Sequence, residues 1–276
     1  MKIYISADME GITGLVDADD VQPGGRDYER GRSMMAQDVN AAVLGALAAG
    51  ASDVLVNDAH GPMRNILPEA LHPAARLVRG KPKQMFMLEG LTPEYDAVIC
   101  VGYHSRAGAP GVLSHSFMGH EIEDIWLDGS PVGEIGLAQA TAAALGVPVV
   151  ALTGDDVACA EATAWDDRIV TVPVKYARDR FAAELRPEAE ARRAVEEAVA
   201  TALSAAPRRP SVPAGDRTLT VRWQSASVAA TLPGIPGVTA TDSRTVEARG
   251  PLPALYRQFG VWMRVAASLT NQPPYC

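Results

Sequence analysis

The sequence predicts an α/β protein: a three-layer α/β/α arrangement on a mostly parallel, mixed sheet, with a smaller C-terminal α+β region. Three observations carry this. Strand-length apolar stretches alternate with segments of helical period through the first two thirds of the chain. The run at 95–102 is almost continuously apolar, as expected of a strand covered on both faces. The strongest turn punctuation, P-R-R-P-S-V-P-A-G at 207–215, falls late, and the pattern changes after it.

Each element follows from local pattern. Residues 2–7 read as a strand; Met35, Val39, Val43 and Leu47 repeat at i+4 and mark an amphipathic helix that closes at Gly50; 53–57 is the next strand, which completes a βαβ unit. After the strand at 95–102, residues 122–127 and the turn Asp128-Gly129-Ser130 suggest a hairpin, which would make the sheet mixed. An Ala-rich helix at 136–145 leads into strands at 148–153 and 169–174, and Ala, Glu and Arg content makes 186–206 helical. Beyond the linker come a strand at 219–223, a short helix, a strand at 239–247 and a final helix at 252–269. The expected division is a metal-binding catalytic α/β domain over 1–165 and a C-terminal packing and assembly region over 166–276, whose tail beyond the linker contains no histidine.

Composition excludes several classes. With 47% hydrophobic and 21% charged residues and a mean hydropathy of +0.01, the chain is ordinary globular material. Its net charge of −8 would repel a phosphate backbone, so nucleic acid is not an expected partner. The three cysteines, Cys100, Cys159 and Cys276, form no C-x-x-C pair and no disulfide framework, which points to a reducing, cytoplasmic setting. The apolar start is too short for a signal-peptide core, and the longest apolar run, 41–51, falls far short of the about 20 residues that span a bilayer.

The chemistry gathers at expected strand ends. Asp8 and Glu10 stand two residues apart at the end of the first strand, where period two aims both carboxylates to one side. His60 follows the second strand in N-D-A-H-G, and His104 follows the 95–102 strand in G-Y-H. Ligand crevices of open α/β sheets lie outside such C-terminal strand ends, so topology alone would gather these residues. Glu134 opens the Ala-rich helix, whose N-terminus favours a carboxylate. Three carboxylates and two imidazoles can serve two divalent ions if one carboxylate bridges, and mixed N/O ligation suits zinc or manganese better than magnesium. His115 and His120, in L-S-H-S-F-M-G-H, could reach the same crevice as proton carriers, and His115 is preferred; His72 reads as a surface loop residue. Asp58, Asp155 and Asp156 are placed to orient ligands or to cap. G-I-T-G at 11–14 lacks the ending of a P-loop, no G-x-S-x-G elbow occurs, and Cys100 reads as core.

S-A-D-M-E-G (6–11), N-D-A-H-G (57–61), G-Y-H (102–104), His115 and G-E (133–134), in that order, resemble the zinc-dependent D-aminopeptidase family, also described as dipeptide transport proteins. The likeness extends to M-R-N-I-L, G-D-D, V-P-V-K and the C-terminal P-G-V and R-T-V patterns. The resemblance implies that Asp8 bridges two zinc ions, that Glu10, His60, His104 and Glu134 complete the site, that His115 is the catalytic residue, and that the chain assembles into a homodecameric ring. The expected function is a cytoplasmic two-zinc aminopeptidase removing the N-terminal residue of short peptides that contain D-residues. The alternatives are a metal-dependent phosphohydrolase, suggested by the Asp-x-Glu after the first strand, and a non-catalytic peptide-binding or transport accessory protein.

Overall fold

The structure, a computed structural model, describes residues 1–205, 209–210 and 215–270; most of the expected linker, and Cys276, lie outside them. The chain opens with β1 (Lys2–Ala7), passes through a short helix α1 (Ala18–Val21) and a long helix α2 (Tyr28–Ala48), and returns in β2 (Asp53–Asp58), parallel to β1. Strands β3 (Ala75–Val78) and β4 (Ala97–Val101) follow, then a hairpin of β5 (Ile122–Leu127) and β6 (Ser130–Pro131). Helix α3 (Glu134–Ala144), β7 (Val149–Asp155), α4 (Asp156–Trp165), β8 (Val170–Asp179), β9 (Ala182–Leu185) and α5 (Glu188–Ser204) lead to the last third. That part holds β10 (Arg217–Trp223), α6 (Ala226–Thr231), β11 (Val238–Ala240), β12 (Thr245–Gly250) and α7 (Leu252–Thr270).

Seven strands form the main sheet in the order β3-β2-β1-β4-β7-β8-β9, all parallel except the β8–β9 pair. Strand order reverses between β1 and β4, so the two central strands diverge at their C-terminal ends and leave the crevice of a topological switch point. Strand alternation sends Ile3 and Ile5 to one face, where they share a core with Met35, Val39 and Val43 of α2 and Val195 and Val199 of α5. Tyr4 faces the other side, in a core with Ile135 and Ala138 of α3, Phe259 and Trp262 of α7, and Val221 and Trp223 of β10. At about 25 cal/mol per Å² of apolar surface, burial on both faces is what holds the central strands, and β1 and β4 accordingly carry almost no polar residue before their ends.

Two expectations need correction. The 122–131 hairpin forms, with Asp128 and Gly129 both at positive φ as its tight turn requires, but it does not enter the main sheet. It belongs to a separate antiparallel sheet ordered β11-β12-β10-β5-β6, and the mixed character of the main sheet comes instead from β9. The strand expected at 239–247 is broken by a turn into β11 and β12. The five candidate ligands and His115 all precede residue 165, while both sheets cross it: β8 and β9 join the main sheet from beyond it and β5 and β6 join the second sheet from before it. No helix among the described residues is long and apolar enough to cross a membrane.

Candidate metal centre

Asp8 begins the turn after β1, and its amide donates to the Val101 carbonyl at 2.8 Å, which continues the β1–β4 pairing one residue beyond the strand. The next turn residue, Gly11, donates to the Gly102 carbonyl at 2.8 Å, and a Cβ there would lie 2.0 Å from the Tyr103 carbonyl oxygen. The close approach of these two turns requires glycine, and it brings Asp8 and Glu10 against His104. Asp58, at the end of β2, accepts from the Ile66 amide and from Asn65 Nδ2, each at 2.8 Å, and Asn65 also donates to the His60 carbonyl. Asp58 therefore holds the loop that carries His60. Asp155 caps α4 through the Ala158 amide and accepts from the Val112 amide at 2.6 Å, tying the 105–117 segment to the sheet. Asp156 accepts from the Ala177 amide.

The structure gathers Asp8, Glu10, His60, His104 and Glu134, all buried, at the mouth of the switch point. His60 Nδ1 lies 3.2 Å from Asp8 Oδ1 and 3.0 Å from Glu10 Oε2, while its Nε2 is 2.8 Å from the Val21 carbonyl of α1. A carbonyl only accepts, so Nε2 carries a proton, and Nδ1 is left to face two carboxylates, where it needs either a proton of its own or a cation between them. His104 repeats the arrangement: Nδ1 donates to the Ser105 carbonyl at 3.0 Å, and Nε2 faces Asp8 Oδ2 at 3.5 Å and Glu134 Oε1 at 3.4 Å. Asp8 Oδ2 and His104 Nε2 are buried without any hydrogen-bond partner. Carboxylates and imidazole nitrogens packed together in a dry site need positive charge between them, as protons or as ions, and this donor set fits divalent ions.

Two ligand groups share Asp8, one with Glu10 and His60, the other with His104 and Glu134. The charges read the same way. Burial, with the Glu10 charge beside it, pushes the Asp8 carboxyl up to about 7. Burial pulls the His60 and His104 imidazoles down, but the carboxylates of Glu10 and Glu134 respectively outweigh it and hold both rings well above the usual histidine range. Glu10 and Glu134 are raised by burial but lowered further by those same imidazoles, to a net position below the ordinary carboxylate value.

His115 stands at the rim of this cluster. Its Nδ1 donates to the Leu113 carbonyl at 2.8 Å, leaving Nε2 3.9 Å from both Glu10 Oε1 and Glu134 Oε1, and its ring stacks on His104 with centroids 4.1 Å apart. Burial and then the His104 charge push the His115 imidazole below its ordinary value. Leu113 and Phe117, on either side of it, adopt positive φ, a strained conformation for bulky residues, and the Phe117 amide donates to Glu134 Oε1 at 2.5 Å. His120 lines the same cavity without reaching the carboxylates, and His72 is a loop residue whose amide donates to Asn40.

Sequence reading missed three contributors. Lys175 of β8 is fully buried and donates to the carbonyls of Glu10, Ile12 and Leu15 at 2.6, 3.0 and 2.5 Å, fixing the turn that presents Glu10. Lys83 donates to Asn57 Oδ1 and the Asp58 carbonyl beneath the His60 loop. Phe86, at positive φ, stacks on Tyr256 and walls the cavity. A lysine interrupting an apolar strand in V-P-V-K was the one available signal for these. The cavity over the carboxylates encloses about 460 Å³, room for a small-molecule substrate.

Comparison with known proteins places these features in context. The Peptidase M55 family model, described as D-aminopeptidase, matches residues 1–258. A protein of Bacillus subtilis (strain 168) described as a D-aminopeptidase is 37% identical over 280 residues, covering 100% of both chains. A solved structure, described as the Zn-dependent D-aminopeptidase DppA from Bacillus subtilis, a self-compartmentalizing protease, superposes with a TM-score of 0.93 at 34% identity and covers 100% of both chains.

Proposed function

This chain belongs to the Peptidase M55 family of D-aminopeptidases, and from that premise we propose that it is a binuclear zinc enzyme releasing the N-terminal residue of short D-residue peptides. One observation carries the proposal: the two oxygens of Asp8 face two separate ligand groups, each completed by one histidine and one glutamate. Glu10 and His60 would hold one ion, His104 and Glu134 the other, and Asp8 would serve both. When bound, such ions supply Lewis acidity to the scissile carbonyl and lower the pKa of water toward 7.

The chain's own groups supply the rest. His115, kept neutral by burial and by its stacked neighbour, holds its free lone pair at Nε2 and moves a proton at that atom. His115 also clusters with Glu10 and His104 closely enough to hold an ion, but its 3.9 Å to both carboxylates exceeds the 3.0–3.5 Å spacings around His60 and His104, which supports a catalytic role over that of a ligand. Phe86, Met63 and Val21 give the cavity over the carboxylates its apolar wall, against which a substrate side chain can pack. Two histidine donors argue against the single-magnesium phosphohydrolase alternative.

The relative described as self-compartmentalizing supports a homo-oligomer for this chain as well, and the ring of ten implied by the sequence resemblance is the assembly we propose. Buried free thiols at Cys100 and Cys159, both pushed up to about 12 by burial, suit a cytoplasmic setting. The test pairs metal analysis with hydrolysis of D-Ala-D-Ala, L-Ala-L-Ala and N-acetyl-D-Ala-D-Ala at equal zinc load, and light scattering of the same sample. Two zinc ions per chain, D-peptide cleavage, poor turnover of the acetylated peptide and a mass near ten times 29.1 kDa are expected. Equal rates on free and acetylated peptides would reject an aminopeptidase.

A further inference from the structure

Two cavities meet at His115. The one over the carboxylates encloses about 460 Å³; the other, about 510 Å³ and more open, lies beside the 107–110 loop. His115, Gly119 and Arg180 line both, so Arg180, at the β8–β9 turn, stands at the passage between them. The carbonyl of Arg180 accepts from the Leu113 amide at 2.8 Å, two residues before His115, which fixes the turn against the loop that carries the proton-transferring group. Its guanidinium lies 5.3 Å from the centroid of the Phe181 ring, a stacking that orients the group and leaves its N–H edges free. Neighbouring charges are accounted for: Arg178 pairs with Glu184, and Asp179 accepts the amide of Arg180 itself. The Arg180 guanidinium has no carboxylate partner among the described residues.

We infer that Arg180 receives the α-carboxylate of the residue that leaves, which makes the preferred substrate a dipeptide with a free C-terminus; this rests on the aminopeptidase reading above. The group that protonates the departing amine marks the leaving side of the scissile bond, and that group is His115. In a terminal residue the carboxylate carbon lies only two bonds from the scissile nitrogen, N–Cα and Cα–C, of about 1.46 and 1.52 Å. The cation that reads it must therefore border the same space as His115, and Arg180 lines both of the cavities that His115 lines. Arginine also suits the task, because its planar fork meets a carboxylate with two parallel hydrogen bonds. Lys81, the other cation lining the first cavity, does not line the second.

The experiment measures kcat and KM for D-Ala-D-Ala and its C-terminal amide at equal zinc load, on the wild type and on Arg180→Gln, Arg180→Lys and Lys81→Gln. The wild type should prefer the acid by about 10- to 100-fold in kcat/KM, the range of a charge-assisted hydrogen-bond pair. Arg180→Gln should bring that ratio close to one, mainly through a higher KM for the acid. Arg180→Lys should restore part of it, and Lys81→Gln should keep it. A wild-type ratio near one, a ratio that survives Arg180→Gln, or its loss in Lys81→Gln would overturn the inference while leaving the aminopeptidase reading intact. Wild-type protein that frees D-Ala from neither peptide would overturn the aminopeptidase reading itself.

Discussion

Asp8 concentrates the chemistry of the chain in one side chain, because its Oδ1 faces His60 at 3.2 Å and its Oδ2 faces His104 at 3.5 Å. Asp8 is the member common to the group with His60 and the group with Glu134, so Asp8→Ala should lose both ions, whereas His60→Ala or His104→Ala should weaken one; metal analysis after dialysis against zinc-free buffer checks this, and full retention in Asp8→Ala would remove the bridge. His115→Ala should behave in the opposite way. Its imidazole is pinned by Leu113 and stands apart from the carboxylates, so the variant should keep its zinc while turnover falls by about 10²- to 10⁴-fold. Unchanged turnover, or loss of an ion, would pass the role to another group, with His120 next in line. The clustering was legible in the sequence through residue type: Asp-x-Glu and two histidines at expected strand ends are ligand chemistry wherever a sheet gathers them, and the structure brings them together with Glu134; the bridging and catalytic roles are what the family resemblance implies and what these variants test. What residue type could not convey is tautomer. It comes from three backbone carbonyls, those of Val21, Ser105 and Leu113, none of which has a sequence signature.

Among elements, β8 reaches furthest into the site without contributing a ligand. Lys175→Met would leave the carbonyls of Glu10 and Leu15 without their donor, while Ile12 keeps the Leu15 amide, at about 1–3 kcal/mol for each group left unsatisfied. Denaturation should show a loss of about 3 kcal/mol, and a competing chelator should strip zinc more easily because the Glu10 turn relaxes; unchanged zinc affinity would confine Lys175 to a packing role. At the junction of β2 and β3, Lys83 allows a test by pH. Burial pushes its ammonium down to about 8, against an ordinary value of 10.5, so between those values the unfolded chain binds more protons than the folded one. The stability contributed by this group therefore rises with pH across that window. The advantage of wild type over Lys83→Met should grow from pH 8 to 10, as measured by denaturant midpoints, and a flat difference would contradict the burial.

Element reading succeeded where period and turn chemistry act locally, as in β1, α2, β4 and α3. It failed for the β5–β6 hairpin because Asp128-Gly129 specifies a turn and says nothing of the partner strand; β5 pairs with β10, some ninety residues away. Short or half-exposed elements such as β3 and β9 carry too little burial to leave a pattern.

At the scale of the whole molecule, the site gathers charge at the ends of strands that the main sheet already pairs. Its five candidate ligands come from the turns after β1, β2 and β4 and from the first residue of α3, spanning Asp8 to Glu134. Without ions, three buried carboxylates face imidazole lone pairs, and protons must stand in for the missing cations, as the raised His60 and His104 show. Ions replace those protons and bind only the folded arrangement, since no such cluster exists in an unfolded chain, so binding energy becomes folding energy. At zinc a thousandfold above Kd one site contributes about 4 kcal/mol, which for a chain of this size corresponds to a rise in Tm of about 10 °C. Chelation should lower the Tm by at least that much at fixed protomer concentration, a condition that matters because an oligomer's Tm depends on it. Zinc should restore the Tm in wild type but not in Asp8→Ala. A melting temperature indifferent to zinc would mean that the carboxylates and histidines meet for a reason other than holding metal.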